Sequence, residues 1–362
     1  MNQSNKTMHI AFIGSAGIPN RYGGFESFLE NCAPLLVDSE TSVTVTCDAA
    51  LYIDDLDADF KGVSRVFLRI RANGASSIIH DLVAFFKVFR RSTHIVVLGV
   101  SGGLWFPLFK LLCQFWRKRI GVNIDGVEWR RAKYSPLKQV ILRIFDYLAQ
   151  RFSHFVIYDN AGLRRYVINS AKERSFEIGY SGDHVLRVPM ARKTWGSALT
   201  ICRIEPENNI ELLIKGALIS NLKSYTMVGN WSNSSYGLRI RDQYKDEQRL
   251  QLLDPIYDPL HLANLRESCH IYLHGHSVGG TNPSLVEMLY YSSAIICFDV
   301  IYNRATALDN ALYFSDSDTL SACINKSLFE HPTQTEESRA KLRLKYTKSF
   351  IAQSYLDAMT HV

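Results

Sequence analysis

Short apolar runs alternate with longer amphipathic stretches through the first half of the chain. Six runs have the length and residue content of β-strands, namely HIAFIG, VTVTC, RVFLRI, HIVVLG, IGVNID and HFVIYD. Most of them are separated by segments in which apolar residues recur with helical spacing. This alternation predicts a parallel sheet that is covered by helices.

The alternation restarts after about residue 190, with the strand-like runs ALTICRI, SYTMVGN, RLQLLD, CHIYLHG and SAIICFD and helical stretches such as 207–218. We therefore predict an α/β protein with two doubly wound Rossmann-like domains, 1–185 and 190–335. The stretch 181–196 has no clear period and is the predicted linker. The basic helical segment 336–362 is expected to pack back on the first domain. Because open α/β sheets bind ligands at the carboxyl ends of their strands, we expect the domains to face each other across a cleft that forms the site.

The composition excludes long disorder and a membrane-spanning chain. Of the 362 residues, 47% are hydrophobic and 21% are charged, which is enough apolar material for two cores. The most apolar window, 94–116, is interrupted by glycine, proline and lysine before it reaches the ~18 residues of a spanning helix. The seven cysteines are scattered and predict reduced thiols without a zinc or disulfide framework. The polar start has no secretory signal, so a cytoplasmic protein is expected.

Positive charge is concentrated in one part of the chain. Residues 61–174 hold 21 Lys and Arg against 6 Asp and Glu, a net +15, so the remainder carries −9 of the total +6. This division predicts phosphate-rich partners for the basic part. The segments 84–91 and 115–119 alternate apolar and cationic residues, as interfacial helices do. A solvated basic face around a core is the alternative.

The first strand ends in a glycine-rich loop, GSAGIPNRYGGFE. Paired glycines at a helix start, here Gly23 and Gly24, let an anion approach backbone N–H groups, so a phosphate is expected there. Arg21 and Glu26 lie beside them. The spacing is not that of a dinucleotide fingerprint. A tight turn without a ligand is the alternative.

A second polar concentration follows the strand IGVNID. Asp125 and Glu128 precede the cations Arg130, Arg131 and Lys133, at a sheet end where α/β folds present functional groups. Either carboxylate is a candidate to take a proton from an acceptor hydroxyl if burial raises its pKa. A surface ion-pair loop is the alternative.

The densest motif is HGHSVGGTNPSLVE. Asn282 is predicted to cap a helix that has Pro283 in its first turn, and the amides of Gly280 and Thr281 to form, with that of Asn282, a second anion cradle. Glu287, one turn further, is a candidate acceptor for the hydroxyls of a ribose.

The histidines of this motif leave two roles open. His274 and His276 are expected to project to opposite faces of a strand end, which argues against a shared metal. Each is a packed or a ligand-contacting residue.

Three further residues follow strands of the second domain. Arg203 comes where the first strand of that sheet ends, and a guanidinium there suits bidentate phosphate recognition, with a helix-capping loop as the alternative. Asn230 and Tyr257 lie in loops able to offer polar edges and an aromatic face to a base. Core packing is the commoner role for such aromatic residues.

Taken together, these segments resemble the family 4 glycosyltransferases of the GT-B fold, and most closely bacterial rhamnosyltransferases. The matching segments, in order along residues 17–287, are GIPNRYGGFE, VNIDGVEWRRAKYS, ICRIEPENNI, VGNWSNSSYG, LLDPIYD and HGHSVGGTNPSLVE. The resemblance implies a nucleotide-sugar donor in the second domain, an acceptor in the first, and transfer with retention and without a metal or a cofactor. The implied donor is dTDP-rhamnose.

The resemblance also distributes roles over the candidate residues. The implied catalytic residues are Asp125, Arg203 and Glu287. The implied donor-binding residues are Gly23, Gly24, Arg203, Asn230, Tyr257, His276, Gly279, Gly280, Thr281, Asn282 and Glu287. The implied acceptor-binding residues are Arg21, Glu26 and Glu128.

Two positions depart from the family pattern. Glu287 matches the second glutamate of the E-x7-E motif, but Gly279 stands where the first is usual. Arg203 matches the arginine of the R-x4-K pair, but Asn208 stands in the lysine position. The rhamnosyltransferase-like subgroup looks similar at both places, so we interpret them as subgroup features.

The implied setting is the synthesis of O-antigen or capsular polysaccharide on a lipid-diphosphate-linked oligosaccharide, at the anionic inner face of a bacterial cell membrane. The alternatives are another UDP- or GDP-sugar, a nucleotide-sugar epimerase or dehydrogenase, and a non-enzymatic binder of anions. A nucleic-acid partner is not expected, because it would leave the glycine loops unexplained.

Overall fold

The computed structural model describes residues 7–21, 23–130, 134–188, 192–329 and 336–361. The chain divides into two compact units, one formed by 1–181 together with 347–362 and the other by 182–346. Arg131 and Lys133, and part of the predicted linker 181–196, lie outside the described residues.

Each unit contains a sheet of mostly short strands. The strands of the first unit are β1 Met8–Ile13, β2 Thr41–Asp48, β3 Asp59–Phe60, β4 Val63–Leu68, β5 His94–Leu98, β6 Arg119–Asn123, β7 Phe155–Tyr158 and β8 Ser175–Glu177. Those of the second unit are β9 Thr194–Ile201, β10 Ser224–Val228, β11 Leu250–Leu253, β12 Cys269–His274, β13 Ala294–Phe298 and β14 Leu312–Phe314.

Helices connect most of these strands. The first unit has α1 Gly24–Cys32, α2 Ser77–Phe89, α3 Phe106–Phe115 and α4 Pro136–Phe152. The second has α5 Ile210–Leu218, α6 Ser235–Gln243, α7 Pro259–Ser268, α8 Pro283–Met288, α9 Ile301–Ala307, α10 Ser317–Phe329 and α11 Glu336–Arg343. The last helix, α12 Lys348–Thr360, belongs to the first unit.

Both sheets are doubly wound in the Rossmann manner. In the described residues the strand order is β3-β4-β2-β1-β5-β6-β7-β8 in the first sheet and β11-β10-β9-β12-β13-β14 in the second. All neighbours are parallel except the β3–β4 pair. The order reverses between β1 and β5 in the first sheet and between β9 and β12 in the second. At such a switch point the helices leave toward opposite faces, and a crevice opens beyond the strand ends.

The central strands of the sheets are buried on both faces, and their sequences explain why. Ala11, Phe12 and Ile13 of β1 are fully buried, as are Val96 and Val97 of β5. Continuous apolar runs without polar alternation are typical of parallel strands that are covered by helices on both sides. The two Rossmann-like α/β domains predicted from the sequence are confirmed.

The predicted apolar runs all overlap strands, but three edge strands were missed. β3, β8 and β14 have two or three residues each and lie at or next to sheet edges, so they carry too few apolar residues to show a period. The helix predicted over 207–218 begins only at Ile210, because Asn209 adopts a left-handed conformation with φ of 53°.

The segment predicted as one C-terminal piece, 336–362, is divided between the two units. α11 belongs to the second unit, whereas α12 packs in the core of the first. The ring of Tyr355 stacks on Phe28 with centroids 4.4 Å apart, and its hydroxyl accepts a 2.9 Å hydrogen bond from the Asn123 side chain. α12 therefore completes the core of the first unit.

We expect Tyr355→Phe to lower the free energy of unfolding by about 1–2 kcal/mol, since it leaves the buried Asn123 amide without its acceptor. Denaturant unfolding followed by circular dichroism measures the change. Tyr147→Phe, at a half-exposed ring on α4, is the matched control and should change stability by less than about 0.5 kcal/mol. Equal unfolding midpoints for Tyr355→Phe and the control would contradict this role.

Candidate active site

The switch point of the second sheet brings two predicted motifs together. β9 and β12 pair in parallel, with Tyr272 beside Leu199. Arg203 follows β9, and the loop 275–282 follows β12, so both leave the sheet at neighbouring carboxyl ends. This is the edge at which doubly wound sheets bind ligands.

The two loops are hydrogen-bonded to each other through the backbone. The amide and the hydroxyl of Ser277 both donate to the carbonyl of Glu207, at 3.0 and 2.7 Å. The Asn209 side chain donates to the carbonyl of Gly275 at 2.8 Å. Gly275 admits this approach because a Cβ there would fall on the backbone of the facing loop. The loops therefore form one connected surface.

Asn208, in the usual lysine position, has a structural role in this surface. Its side chain is buried and donates a 2.7 Å hydrogen bond to the carbonyl of Arg203. The Arg203 side chain is exposed, and it makes no hydrogen bond or ion pair with the described residues. The loop thus offers one guanidinium to solvent and uses the amide of Asn208 to hold the backbone beneath it.

The expectation that His274 and His276 point to opposite faces was wrong. Their rings stack with centroids 4.3 Å apart and 15° between planes, because residues two apart on a strand share a face. His274 is fully buried, and neither ring nitrogen has a hydrogen-bond partner among the described residues.

Burial keeps this pair uncharged. Burial and the nearby Arg203 guanidinium lower the pKa of His276 to about 3. Burial and the neighbouring His276 lower the pKa of His274 well below its usual range. At neutral pH, His276 therefore offers a neutral imidazole beside Arg203.

The glycine loop leaves open space at Gly279, the position where the glycosyltransferases that the sequence resembles have a glutamate. Gly279 has a φ of 122°, and a Cβ built there would meet nothing within 4 Å. Gly280 and Asn282 are half-buried, whereas Thr281 is buried. The backbone conformation at position 279 disfavours any residue with a side chain, so the space beside Gly279 is left unfilled by this position.

The predicted helix start is confirmed. The Asn282 side chain accepts a 3.0 Å hydrogen bond from the Ser284 amide, and Pro283 occupies the first position of α8. A capped start fixes the direction in which this helix leaves the loop. Glu287 is thereby placed one turn beyond it.

The carboxylate of Glu287 is held by two residues outside the predicted motifs. Arg266 of α7 forms an ion pair with Oε2, and Nε2 of His184 lies 3.3 Å from Oε1. Burial by itself would raise the pKa of Glu287, but these two partners outweigh it and lower the pKa. Glu287 is therefore an ionised, oriented acceptor.

The other residues of this unit that are predicted to bind the nucleotide-sugar donor differ in exposure. Asn230 is exposed, and Tyr257 is 87% exposed. Trp231, between them in the chain, is fully buried and donates to the carbonyl of Leu253 at 3.0 Å. Asn230 and Tyr257 are accessible, whereas Trp231 is a core residue.

In the first unit, a carboxylate already occupies the expected phosphate position. Glu26 is buried, and its Oε1 accepts a 2.6 Å hydrogen bond from the Ala16 amide. The amides of Gly23 and of Glu26 itself also favour its charged form. Gly24 packs against the Tyr180 ring. The backbone amides of the glycine-rich loop therefore contact the carboxylate of Glu26.

Asp125 lies close to this carboxylate. It adopts a left-handed conformation with φ of 54°, and the Tyr180 hydroxyl donates to its Oδ1 at 3.4 Å. Burial, and to a lesser extent the charge of Asp125, raise the pKa of Glu26. Glu26 thus has the elevated pKa that was expected of Asp125 or Glu128.

The remaining predicted acceptor residues are paired. Arg21 forms a bidentate ion pair with Asp54 at 2.7 and 3.3 Å, and the Tyr134 hydroxyl donates to Glu128 at 3.0 Å. Among the described residues, no three His, Cys, Asp or Glu side chains are arranged to hold a metal ion.

Sequence reasoning missed Arg266, His184 and Tyr180. None lies in a glycine motif, and each reaches its partner only through the fold. The sequence carries no signal for Arg266, because its burial, which implies a partner for its charge, is visible only in the structure.

The comparisons with known proteins concern both units. Residues 7–183 match a family profile described as a domain of unknown function, DUF1972. No curated protein sequence matches the chain.

Solved structures match nearly the whole chain at low identity. Sucrose-phosphate synthase from Thermosynechococcus elongatus has a TM-score of 0.75 at 14% identity, over 97% of this chain and 98% of that one. The catalytic domain of starch synthase IV from Arabidopsis thaliana has 0.69 at 12%, over 98% and 99%. The lipopolysaccharide outer core galactosyltransferase WaaB has 0.64 at 12%, over 97% and 99%. The chain therefore has the GT-B fold.

Glu26→Gln should make the stability of the protein less dependent on pH. The folded pKa of Glu26 lies above its ordinary value of 4.5, so the folded state holds this proton more tightly than the unfolded state. As the pH rises from the pKa of Glu26 in the unfolded state to its pKa in the folded state, the wild type loses ~1.4 kcal/mol of stability per unit of pKa difference. The amide variant does not titrate and does not lose this stability.

Thermal unfolding from pH 4 to pH 8 measures this difference. Glu30→Gln, on the same helix and half-buried, is the matched control and should follow the wild type. Parallel wild-type and Glu26→Gln curves over that range would refute the assignment.

Proposed function

We propose that the chain is a glycosyltransferase whose second unit binds a nucleotide-sugar donor. One observation carries the proposal: at the switch point of the second sheet, the exposed guanidinium of Arg203 follows β9, the open loop at Gly279 follows β12, and that loop leads into the helix that carries the ionised Glu287. A cation, backbone donors and a carboxylate are the groups that recognise a diphosphate and the hydroxyls of a pentose. The likeness in fold to a galactosyltransferase supports it.

Arg203 stabilises the leaving group in this proposal. As the bond from the sugar to the diphosphate breaks, negative charge grows on the diphosphate oxygens, and a donor already in place lowers that barrier. The exposed Arg203 can take this position, since it pairs with none of the described residues. In this proposal the neutral imidazole of His276 contacts a sugar hydroxyl and takes over the role of the glutamate that is absent at Gly279.

Transfer proceeds with retention and without a metal or a cofactor. The acceptor hydroxyl attacks C1 on the face that the diphosphate leaves, and its proton passes to a diphosphate oxygen. This route needs no protein nucleophile. The first unit binds the acceptor. If a protein group takes the proton in place of the diphosphate oxygen, Asp125, which lies near Glu26, is the candidate base.

The donor sugar is L-rhamnose carried by dTDP, on the strength of the sequence resemblance. A dTDP donor offers Glu287 only the 3′-hydroxyl of its deoxyribose, whereas a UDP or GDP donor offers two hydroxyls. Another sugar nucleotide is the alternative within the same fold. The acceptor is a lipid-diphosphate-linked oligosaccharide of bacterial surface polysaccharide synthesis.

The acceptor's lipid suggests that the first unit docks on an anionic membrane surface from the cytoplasmic side. The stretch 82–124 contains seven Lys and Arg and no Asp or Glu. Phe115 at the end of α3 is 77% exposed and the adjacent Trp116 is 53% exposed, whereas Lys118 donates hydrogen bonds to three backbone carbonyls and is structural. Exposed apolar rings among cations suit a lipid headgroup region.

α4 extends this surface. Leu137, Val140, Ile141 and Ile144 lie on one exposed stripe of the helix, and α3 packs beside it with Leu108 and Leu111 exposed. No helix within the described ranges is both long and apolar enough to cross a membrane. The exposed stripes therefore suit contact with one leaflet.

Donor turnover tests the proposed activity. dTDP-rhamnose, UDP-sugars and GDP-sugars are offered with a synthetic lipid-diphosphate oligosaccharide, and release of the nucleotide is measured. Consumption of dTDP-rhamnose is expected, with a loss of about 100-fold or more in kcat/KM for Glu287→Ala and Arg203→Ala.

Arg239→Ala is the matched control for Arg203→Ala, because Arg239 is an exposed arginine of the same unit that pairs with Glu211. Use of another sugar nucleotide would refute the rhamnose donor alone. An absence of turnover with every donor would refute the activity.

Co-sedimentation with vesicles tests the membrane surface. Phe115→Ser with Trp116→Ser should reduce binding to vesicles that contain anionic phospholipid by about tenfold, because two apolar anchors are lost. Ile53→Ser, at a 79% exposed residue of the same unit outside the basic region, is the control and should bind as the wild type does. Equal binding to neutral and anionic vesicles would count against the surface.

A further inference from the structure

Two residues that no motif predicts fix the carboxylate of Glu287. The guanidinium of Arg266 pairs with Oε2, and Nε2 of His184 lies 3.3 Å from Oε1. The side chains of Arg266 and Glu287 are only 11% and 14% exposed. Both oxygens of the carboxylate therefore have a charged or polar partner, while a small part of the side chain remains accessible to solvent.

The charges around Glu287 decide its protonation. Burial favours the neutral acid, and Arg266 and then His184 reverse that preference. The other titratable groups that act at this position are the phenols of Tyr272 and Tyr291, and burial raises the pKa of both. Since neutral phenols bring no compensating charge, Arg266 is the dominant group that keeps Glu287 ionised.

A carboxylate oxygen can accept two hydrogen bonds, and within the described part of the chain each oxygen of Glu287 has one such partner, Arg266 or His184. We propose that Arg266 and His184 are positioning residues that hold Glu287 charged and aimed at the pentose hydroxyls of a nucleoside diphosphate. This inference rests on the proposed function of the second unit.

A neighbouring ion pair provides an internal comparison. Arg187 forms a bidentate pair with Glu267, the next residue of α7, at 3.1 Å for both contacts. Arg187 is not among the groups that shift the pKa of Glu287. If Arg266 merely stabilised α7, loss of either arginine would have similar consequences. If it acts on Glu287, only its own loss alters nucleotide binding.

Calorimetric titration of the full chain with dTDP and with UDP, at pH 5.5 and pH 8, distinguishes the two cases. Relative to the wild type at the same pH, Arg266→Met should bind about tenfold or more weakly at pH 5.5, because burial then raises the pKa of Glu287 and protonates it. The deficit should shrink at pH 8, where the carboxylate ionises again. Arg187→Met should bind as the wild type does at both pH values.

A double-mutant cycle identifies the route of the effect. In a Glu287→Gln background, Arg266→Met should cause no further loss of affinity, because the group on which it acts is absent. Arg266→Lys should restore most of the binding at pH 5.5. If Arg266→Met does not fold, His184→Asn carries the test, with a smaller loss of the same pH dependence expected from removal of the second partner.

Equal affinities of Arg266→Met and the wild type at both pH values would overturn the assignment. So would an undiminished loss in the Glu287→Gln background, or an equal loss for Arg187→Met. A wild type that binds neither nucleotide would overturn the proposed function itself and this assignment with it. The remaining outcomes leave nucleotide binding intact, so the two failures are distinguishable.

Discussion

The close backbone approach at Gly275 is the constraint on which the candidate donor site depends. A side chain at this position would fall on the carbonyl of Asn208, so only glycine lets the loop after β12 meet the loop after β9. Asn209 and Ser277 then join the two loops by hydrogen bonds. Arg203 is presented from one loop, and the other leads to Glu287. The strand order places these loops side by side, and the absence of a Cβ in Gly275 lets them pack into one surface.

Glu26, which is buried, and Glu287, which is mostly shielded from solvent, show that a fold can shift the pKa of the same group in opposite directions. Backbone amides surround Glu26, and they do not fully offset the loss of water, so its pKa is raised. A full positive charge faces Glu287, and its pKa is lowered. The first arrangement suits a group that takes up a proton, and the second suits one that accepts hydrogen bonds. Both uses agree with the acceptor and donor roles that we propose for the two units.

Several site residues could be predicted because the chemistry was local. The Asn282 cap, Pro283 and the turn that carries Glu287 are set by neighbouring residues, and the structure confirms that helix start. Long-range features could not be predicted in this way. Nothing in the sequence near Gly23 and Gly24 indicates that Glu26 folds back to occupy the predicted phosphate position. Arg21, similarly, pairs with Asp54, which lies beyond β2 in the chain, so the pairing depends on the fold.

The two doubly wound sheets follow from the amino-acid sequence alone, because continuous apolar runs separated by amphipathic helices have few other ways to bury their surface. The sequence also determines which loops carry glycine, since backbone freedom is a property of the residue. The partners of the charged groups, in contrast, depend on the three-dimensional fold. Arg266 and His184 are distant from Glu287 in the chain, and the strength of an ion pair depends on the burial and separation that the fold imposes.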